Sequence, residues 1–138
     1  MNTPLCSLHG VVIKGRQIGG TIGFPTANLS LISKKPNLEH GVYGVIGYWN
    51  QHQLFGVMNI GVRPTFHDTR EVSYEVHFFD FNDQIYDEEL YVDVLFFVRP
   101  ELSFSKVEEL IQQIHQDVAF VKRSFSSQQS VNGCFSGL

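Results

Sequence analysis

From Leu8 to Val98 apolar and polar positions alternate in short runs divided by turn residues, and beyond Pro100 the apolar spacing lengthens to threes and fours. The first pattern predicts strands. Leu8–Lys14 comes first and is followed by a glycine-rich segment. Gly41–Trp49 and Gln53–Asn59 are separated by Asn50-Gln51-His52, a loop of hairpin length. Gly61 to Asp68 reads as an irregular loop. In Ser73–Phe79, Tyr74, Val76 and Phe78 share one face, and Ser73, Glu75, His77 and Phe79 share the other. Asn82-Asp83 marks a turn into Tyr86–Val98, which opens on Asp87-Glu88-Glu89 and then becomes apolar. Glycines at 41, 44, 47 and 56 are costly inside strands unless the sheet bends tightly or another group packs close. They suit a small closed barrel better than a flat sheet.

After Pro100, Val107, Leu110, Ile111, Ile114, Val118, Val121 and Phe125 form the stripe of one amphipathic helix. Ser105 is its expected N-cap, with Glu108 reaching back, and Lys122-Arg123 suit the negative end of its dipole. The polar face is mixed rather than basic, which favours packing on the barrel over a membrane surface. Residues 126–138 read as a polar, flexible C-terminal tail, leaving 1–125 as one domain.

Composition narrows the function. No apolar run approaches the roughly 18 residues of a membrane span, no secretory signal is visible, and Cys6 and Cys134 form no C-x-x-C. A reducing, cytoplasmic setting follows as the expectation. The net charge of −4 argues against a nucleic-acid partner. A single nucleotide stays compatible with it, because backbone dipoles and a metal ion can manage phosphate charge.

The richest chemistry lies in Gly10, Gly15, Gly19 and Gly20 followed by Gly23-Phe24-Pro25-Thr26-Ala27-Asn28. Glycines after an apolar strand let backbone approach a phosphate, and Pro25 holds Phe24 extended. Thr26 and Asn28, two apart in an extended segment, present two neutral oxygens on one face, suited to Mg²⁺ that keeps most of its shell for water and phosphate. A surface turn with local hydrogen bonds is the competing reading. There is no G-x-x-x-x-G-K-[ST] and no G-x-G-x-x-G after a strand. By periodicity alone Glu75 is a solvent-facing strand residue.

Gly10-x-Val12-x-x-Gly15, Gly23 to Asn28, Gly41-Val-Tyr43, Asn59-Ile-Gly61, Glu75-x-His77, Asp80-Phe81, Tyr86, Arg99-Pro-Glu101-x-x-Phe104, and Gln113-Ile114 with Asp117 occur in an order that resembles riboflavin kinase over residues 8 to 125. The resemblance implies a mainly β fold, a six-stranded Greek-key β-barrel with one C-terminal amphipathic helix. It implies transfer of the γ-phosphate of ATP to the terminal ribityl hydroxyl of riboflavin, giving FMN and ADP. By the same resemblance Thr26 and Asn28 bind the divalent metal, Mg²⁺, and Glu75 is the catalytic base. Gly15, Gly19, Gly23, Thr26, Phe78 and Tyr86 touch ATP, and Arg99 and Phe104 flank the flavin. Two positions depart from the family pattern: Gly20 replaces a basic residue, for which Lys14 or Arg16 could substitute, and Asp87 stands where Gly is typical. A non-catalytic flavin-binding barrel, a carrier or sensor, is the alternative. Many bacterial members carry an N-terminal FMN adenylyltransferase domain, which a longer parent chain would supply.

Overall fold

The computed structural model describes residues 3–13, 26–64, 70–81 and 85–136, in two compact units divided between Leu102 and Ser103. The first holds six strands: β1 (Cys6–Ile13), β2 (Ala27–Leu31), β3 (Gly41–Trp49), β4 (His52–Pro64), β5 (Arg70–Phe78) and β6 (Glu89–Pro100). They close as an antiparallel barrel in the order β1-β2-β5-β4-β3-β6. The meander β3-β4-β5, with β6 returning beside β3, is a Greek key. Each of the six described strands pairs with two neighbours, and the β2–β5 seam is the shortest, with two paired residues.

Period-two patterning decides which side chains fill the barrel. Leu8, Val12, Val45, Met58, Val76 and Val92 point inward and are at most 2% exposed. Two of the strand glycines make room for rings. A Cβ on Gly44 would lie 2.3 Å from the Phe96 ring, and one on Gly47 would lie 2.6 Å from the Phe78 ring. Side chains at 44 and 47 are excluded by packing, as a tightly curved small barrel requires.

Several boundaries differ from the sequence reading. The β3–β4 connection is a two-residue turn, because Trp49 pairs with His52 and both Asn50 (φ 48°) and Gln51 (φ 66°) adopt the left-handed conformation of a type I′ hairpin. Strand β4 continues from Asn59 to Pro64, where an irregular loop was expected. Gly61 to Pro64 pair residue by residue with Ser73 to Arg70, and a partner strand overrides the local breaking tendency of Gly and Pro. Ala27–Leu31, expected only to be extended, is a strand held between β1 and β5. Cys6 opens β1 as a free thiol. Burial first, and the Asp93 carboxylate second, push its pKa up, which makes it a poor nucleophile.

The second unit carries the helix α1 (Val107–Ser136). Val121 and Phe125 of the apolar stripe are buried, as is Asp117, which accepts a 3.0 Å hydrogen bond from Gln113 Nε2, whereas Val107 is 57% exposed. The Lys106 carbonyl accepts the Leu110 N–H, so the cap lies at Lys106. Ser105 Oγ donates instead to Glu109 Oε1 at 3.2 Å. The helix does not stop at Lys122-Arg123. Ser and Gln lie only a few tenths of a kcal/mol from good helix formers and no proline intervenes, so helical backbone runs on through Ser136.

Candidate active site

The register on the outside of the barrel places the expected metal and base residues side by side. Asn28 on β2 is the cross-strand partner of Glu75 on β5, and Glu75 is in turn the partner of Asn59 on β4. Directly opposed residues in an antiparallel pair share a face, with Cβ atoms about 4.5–5.5 Å apart. Val12, Leu29 and Val76 fill the interior phase, so their neighbours Asn28 and Glu75 take the outer one.

The environment of this outer face is polar and partly closed. Asn28 is only 4% exposed, a rare depth for a carboxamide on the outside of a barrel. Thr26, two residues earlier, has its Oγ1 buried without a hydrogen-bond partner among the described residues. An orphaned buried hydroxyl costs about 1–3 kcal/mol, a penalty a ligand can remove. A hard cation that accepts neutral oxygens fits this pair. Among the described residues there is no cluster of three His, Cys, Asp or Glu that could hold a metal without a nucleotide.

The other residues named from sequence divide as follows. Gly15, Gly19, Gly20 and Gly23, with Lys14 and Arg16, lie outside the described residues. His77 follows Glu75 on the outer phase, and its ring meets Phe79 edge-on at 6.0 Å. Phe78 belongs to the core: it is 4% exposed, its ring covers Gly47, and it meets Phe81 edge-on at 6.1 Å. The inward phase that it shares with Tyr74 and Val76 explains this position. Tyr86 is half-buried at the rim of the core. Arg99 Nη1 donates to the Pro100 carbonyl at 3.0 Å, and Glu101 approaches His40 at 3.9 Å. Phe104 belongs to the second unit, just ahead of α1.

Asp87 lies at φ 68°, the left-handed region in which glycine is most at ease. Its N–H donates to the Val12 carbonyl at 2.7 Å, and the Val12 N–H donates to the Glu88 carbonyl at 3.0 Å, so the turn is clamped to β1. Asp87→Gly should keep these bonds and relieve strain, stabilising the fold by up to about 1 kcal/mol. In a thermal melt the variant should unfold a few degrees higher, and an unchanged or lower midpoint would mean that the carboxylate compensates for the strain.

A family model described as Flavokinase: Riboflavin kinase matches residues 3–125. The chain belongs to the riboflavin kinase family. It is 42% identical over 118 residues to the RNA-binding riboflavin kinase RibR of Bacillus subtilis, covering 86% of this chain and 50% of that protein. It is 38% identical over 122 residues to the bifunctional riboflavin kinase/FMN adenylyltransferase of the same organism, covering 87% and 39%. The chain thus spans half or less of the length of these curated relatives. Among solved structures, a macrolide-efflux protein from Streptococcus pneumoniae superposes with TM-score 0.79 and 33% identity, over 87% of this chain and 39% of that one. Riboflavin kinase from Trypanosoma brucei shares the fold, with TM-score 0.61 at 19% identity over 92% and 81%. No described helix here is long and apolar enough to cross a membrane.

Proposed function

We propose that this chain is an ATP-dependent riboflavin kinase that transfers the γ-phosphate of ATP to the terminal ribityl hydroxyl of riboflavin, giving FMN and ADP. One observation carries the reading beyond family membership: the register sets Glu75 beside Asn28, next to the orphaned Thr26 hydroxyl. A carboxylate one strand spacing from a neutral oxygen-bearing side chain, with a second such side chain two residues along, suits phosphoryl transfer to an alcohol.

In the mechanism the Glu75 carboxylate accepts the proton of the ribityl hydroxyl as its oxygen attacks the γ-phosphorus, while the bond to the β-phosphate oxygen breaks and leaves ADP. Thr26 and Asn28 would hold the divalent metal, Mg²⁺, which when bound would offset charge on the phosphate oxygens. Both side chains are neutral, so metal binding would depend on the charge of ATP. By the family resemblance Gly15, Gly19, Gly23, Phe78 and Tyr86 are assigned to the nucleotide. By the family resemblance Arg99 and Phe104 are each assigned to the flavin, since a planar guanidinium and an aromatic ring both suit a broad apolar ring system. We place the activity in the cytoplasm. We assign no nucleic-acid partner, on the acidic balance of the chain; RNA binding is stated in the name of the Bacillus subtilis relative RibR.

The test is product analysis. Purified 138-residue protein with riboflavin, ATP and Mg²⁺ should yield FMN and ADP in equal amounts by chromatography. FAD should not appear even after FMN accumulates, because the kinase-family match occupies residues 3–125 of this chain. Riboflavin that is bound but recovered unchanged would select the carrier reading, and FAD formed from FMN and ATP would overturn the assignment of a kinase alone.

A further inference from the structure

The strand register orders the outer face as well as pairing its residues. Reading across the barrel, Asn28 on β2 faces Glu75 on β5, Glu75 faces Asn59 on β4, Asn59 faces Val42 on β3, and Val42 faces Arg99 on β6. Asn59 lies between Met58 and Ile60, which are sealed inside at 0% and 1% exposure, so its own side chain takes the outward phase, where it is exposed. Next on that face of β4 is Gly61, over which the Glu101 carboxylate folds. A Cβ at 61 would meet Glu101 Oε2 at 2.5 Å. An amide with both donors and an acceptor thus stands in the open beside the proposed base, with a carboxylate one position further along the strand.

The chemistry gives this position a direction. In an in-line displacement the base sits at the attacking hydroxyl, with the phosphoryl donor on one side and the rest of the acceptor on the other. Thr26 and Asn28, proposed for the metal and phosphates, lie on the β2 side of Glu75. The acceptor then approaches from the β4 side, and the first side chain it meets there is Asn59. Six bonds separate the terminal ribityl oxygen from the flavin ring nitrogen, a reach of about 7 Å at the rise per bond of an extended chain. Strands are about 4.8 Å apart, so that length passes Asn59 and leads toward the β3–β6 side, where Arg99 stands.

We propose that Asn59 is a substrate-binding residue whose amide hydrogen-bonds the polyol chain of the acceptor, so that the polyol lies over β4 with its terminal hydroxyl at Glu75. Vicinal hydroxyls each donate and accept, and a carboxamide does both at one point. This rests on the kinase reading above and deepens it, because it assigns the acceptor's direction and the residue that recognises its polyol.

The test separates polyol from ring. Flavin fluorescence titrations, run with ADP and Mg²⁺ present, compare riboflavin with lumiflavin, which has the same ring and a methyl group in place of the polyol. Asn59→Ala should weaken riboflavin about tenfold, as expected for one or two neutral hydrogen bonds, and leave lumiflavin within about twofold. In steady state the KM for riboflavin should rise while kcat falls by less. Because Asn59 is exposed, the melting temperature should hold. Equal weakening of both flavins, or of neither, would overturn the assignment. A wild-type protein that binds riboflavin through Asn59 but makes no FMN would remove the kinase and keep the polyol contact. A wild type that binds neither flavin would remove both.

Discussion

Glu75→Gln should lower kcat by about 10²–10³-fold, measured as FMN formed under saturating riboflavin and MgATP. General-base assistance is worth about 10²–10⁴-fold, and the loose transition state of phosphoryl transfer puts the expected loss toward the lower end. The amide keeps the size of the carboxylate and most of its hydrogen-bonding shape but does not take up the hydroxyl proton. Riboflavin and ATP should therefore bind within a few-fold of wild type, because the interaction lost belongs to the transition state. Glu75 is on the outer phase of β5, between the core residues Tyr74 and Val76, so the substitution leaves the barrel interior intact. Near-normal kcat would return Glu75 to an ordinary strand position. Loss of substrate binding together with turnover would make it an anchor rather than a base.

Thr26→Val is expected to act in opposite directions on stability and activity. The Thr26 Oγ1 is buried and has no hydrogen-bond partner among the described residues. Exchanging it for a methyl group of similar volume removes an unsatisfied polar atom, which should stabilise the ligand-free protein by about 1–3 kcal/mol. A melt without nucleotide should show a higher midpoint. The same exchange deletes one of two neutral oxygens offered to the metal, so turnover should drop by about 10–100-fold, with partial recovery at high Mg²⁺. The added stability conferred by MgADP should shrink, since ligand stabilisation follows the affinity for the folded state. A variant that is both less stable and fully active would show that the hydroxyl serves the fold and not the metal.

The switch from period two to period 3.6 near Pro100 was legible from residue types alone, and so was the outward placement of Glu75. The strand glycines also carried a physical message that the structure bears out, since Gly44 and Gly47 each make room for an aromatic ring. What escaped was decided by partners distant in sequence. Strand β2 is five residues long, contains Asn28 and Ser30, and meets β5 through only two paired residues, so its sequence shows little strand pattern. The end of β4 reads locally as a loop because of Gly61 and Pro64, yet β5 supplies it with pairing. Phe78 shows the converse. Its inward phase was legible from its alternation with Tyr74 and Val76, and the ring fills the core. Asn59 had a signal of its own, a polar residue on the outer phase between two core positions. Only the register shows that Glu75 is its neighbour.

The central claim is spatial: metal, base and polyol follow one another across β2, β5 and β4 on one outer face. A crystal structure of the protein with riboflavin, ADP and Mg²⁺ tests it most directly. Mg²⁺ should be coordinated by Thr26 Oγ1 with Asn28 beside it, the terminal ribityl hydroxyl should lie within about 2.6–3.2 Å of a Glu75 oxygen, and the polyol should run over Asn59. A metal held elsewhere, or a polyol approaching Glu75 from the β2 side, would contradict it.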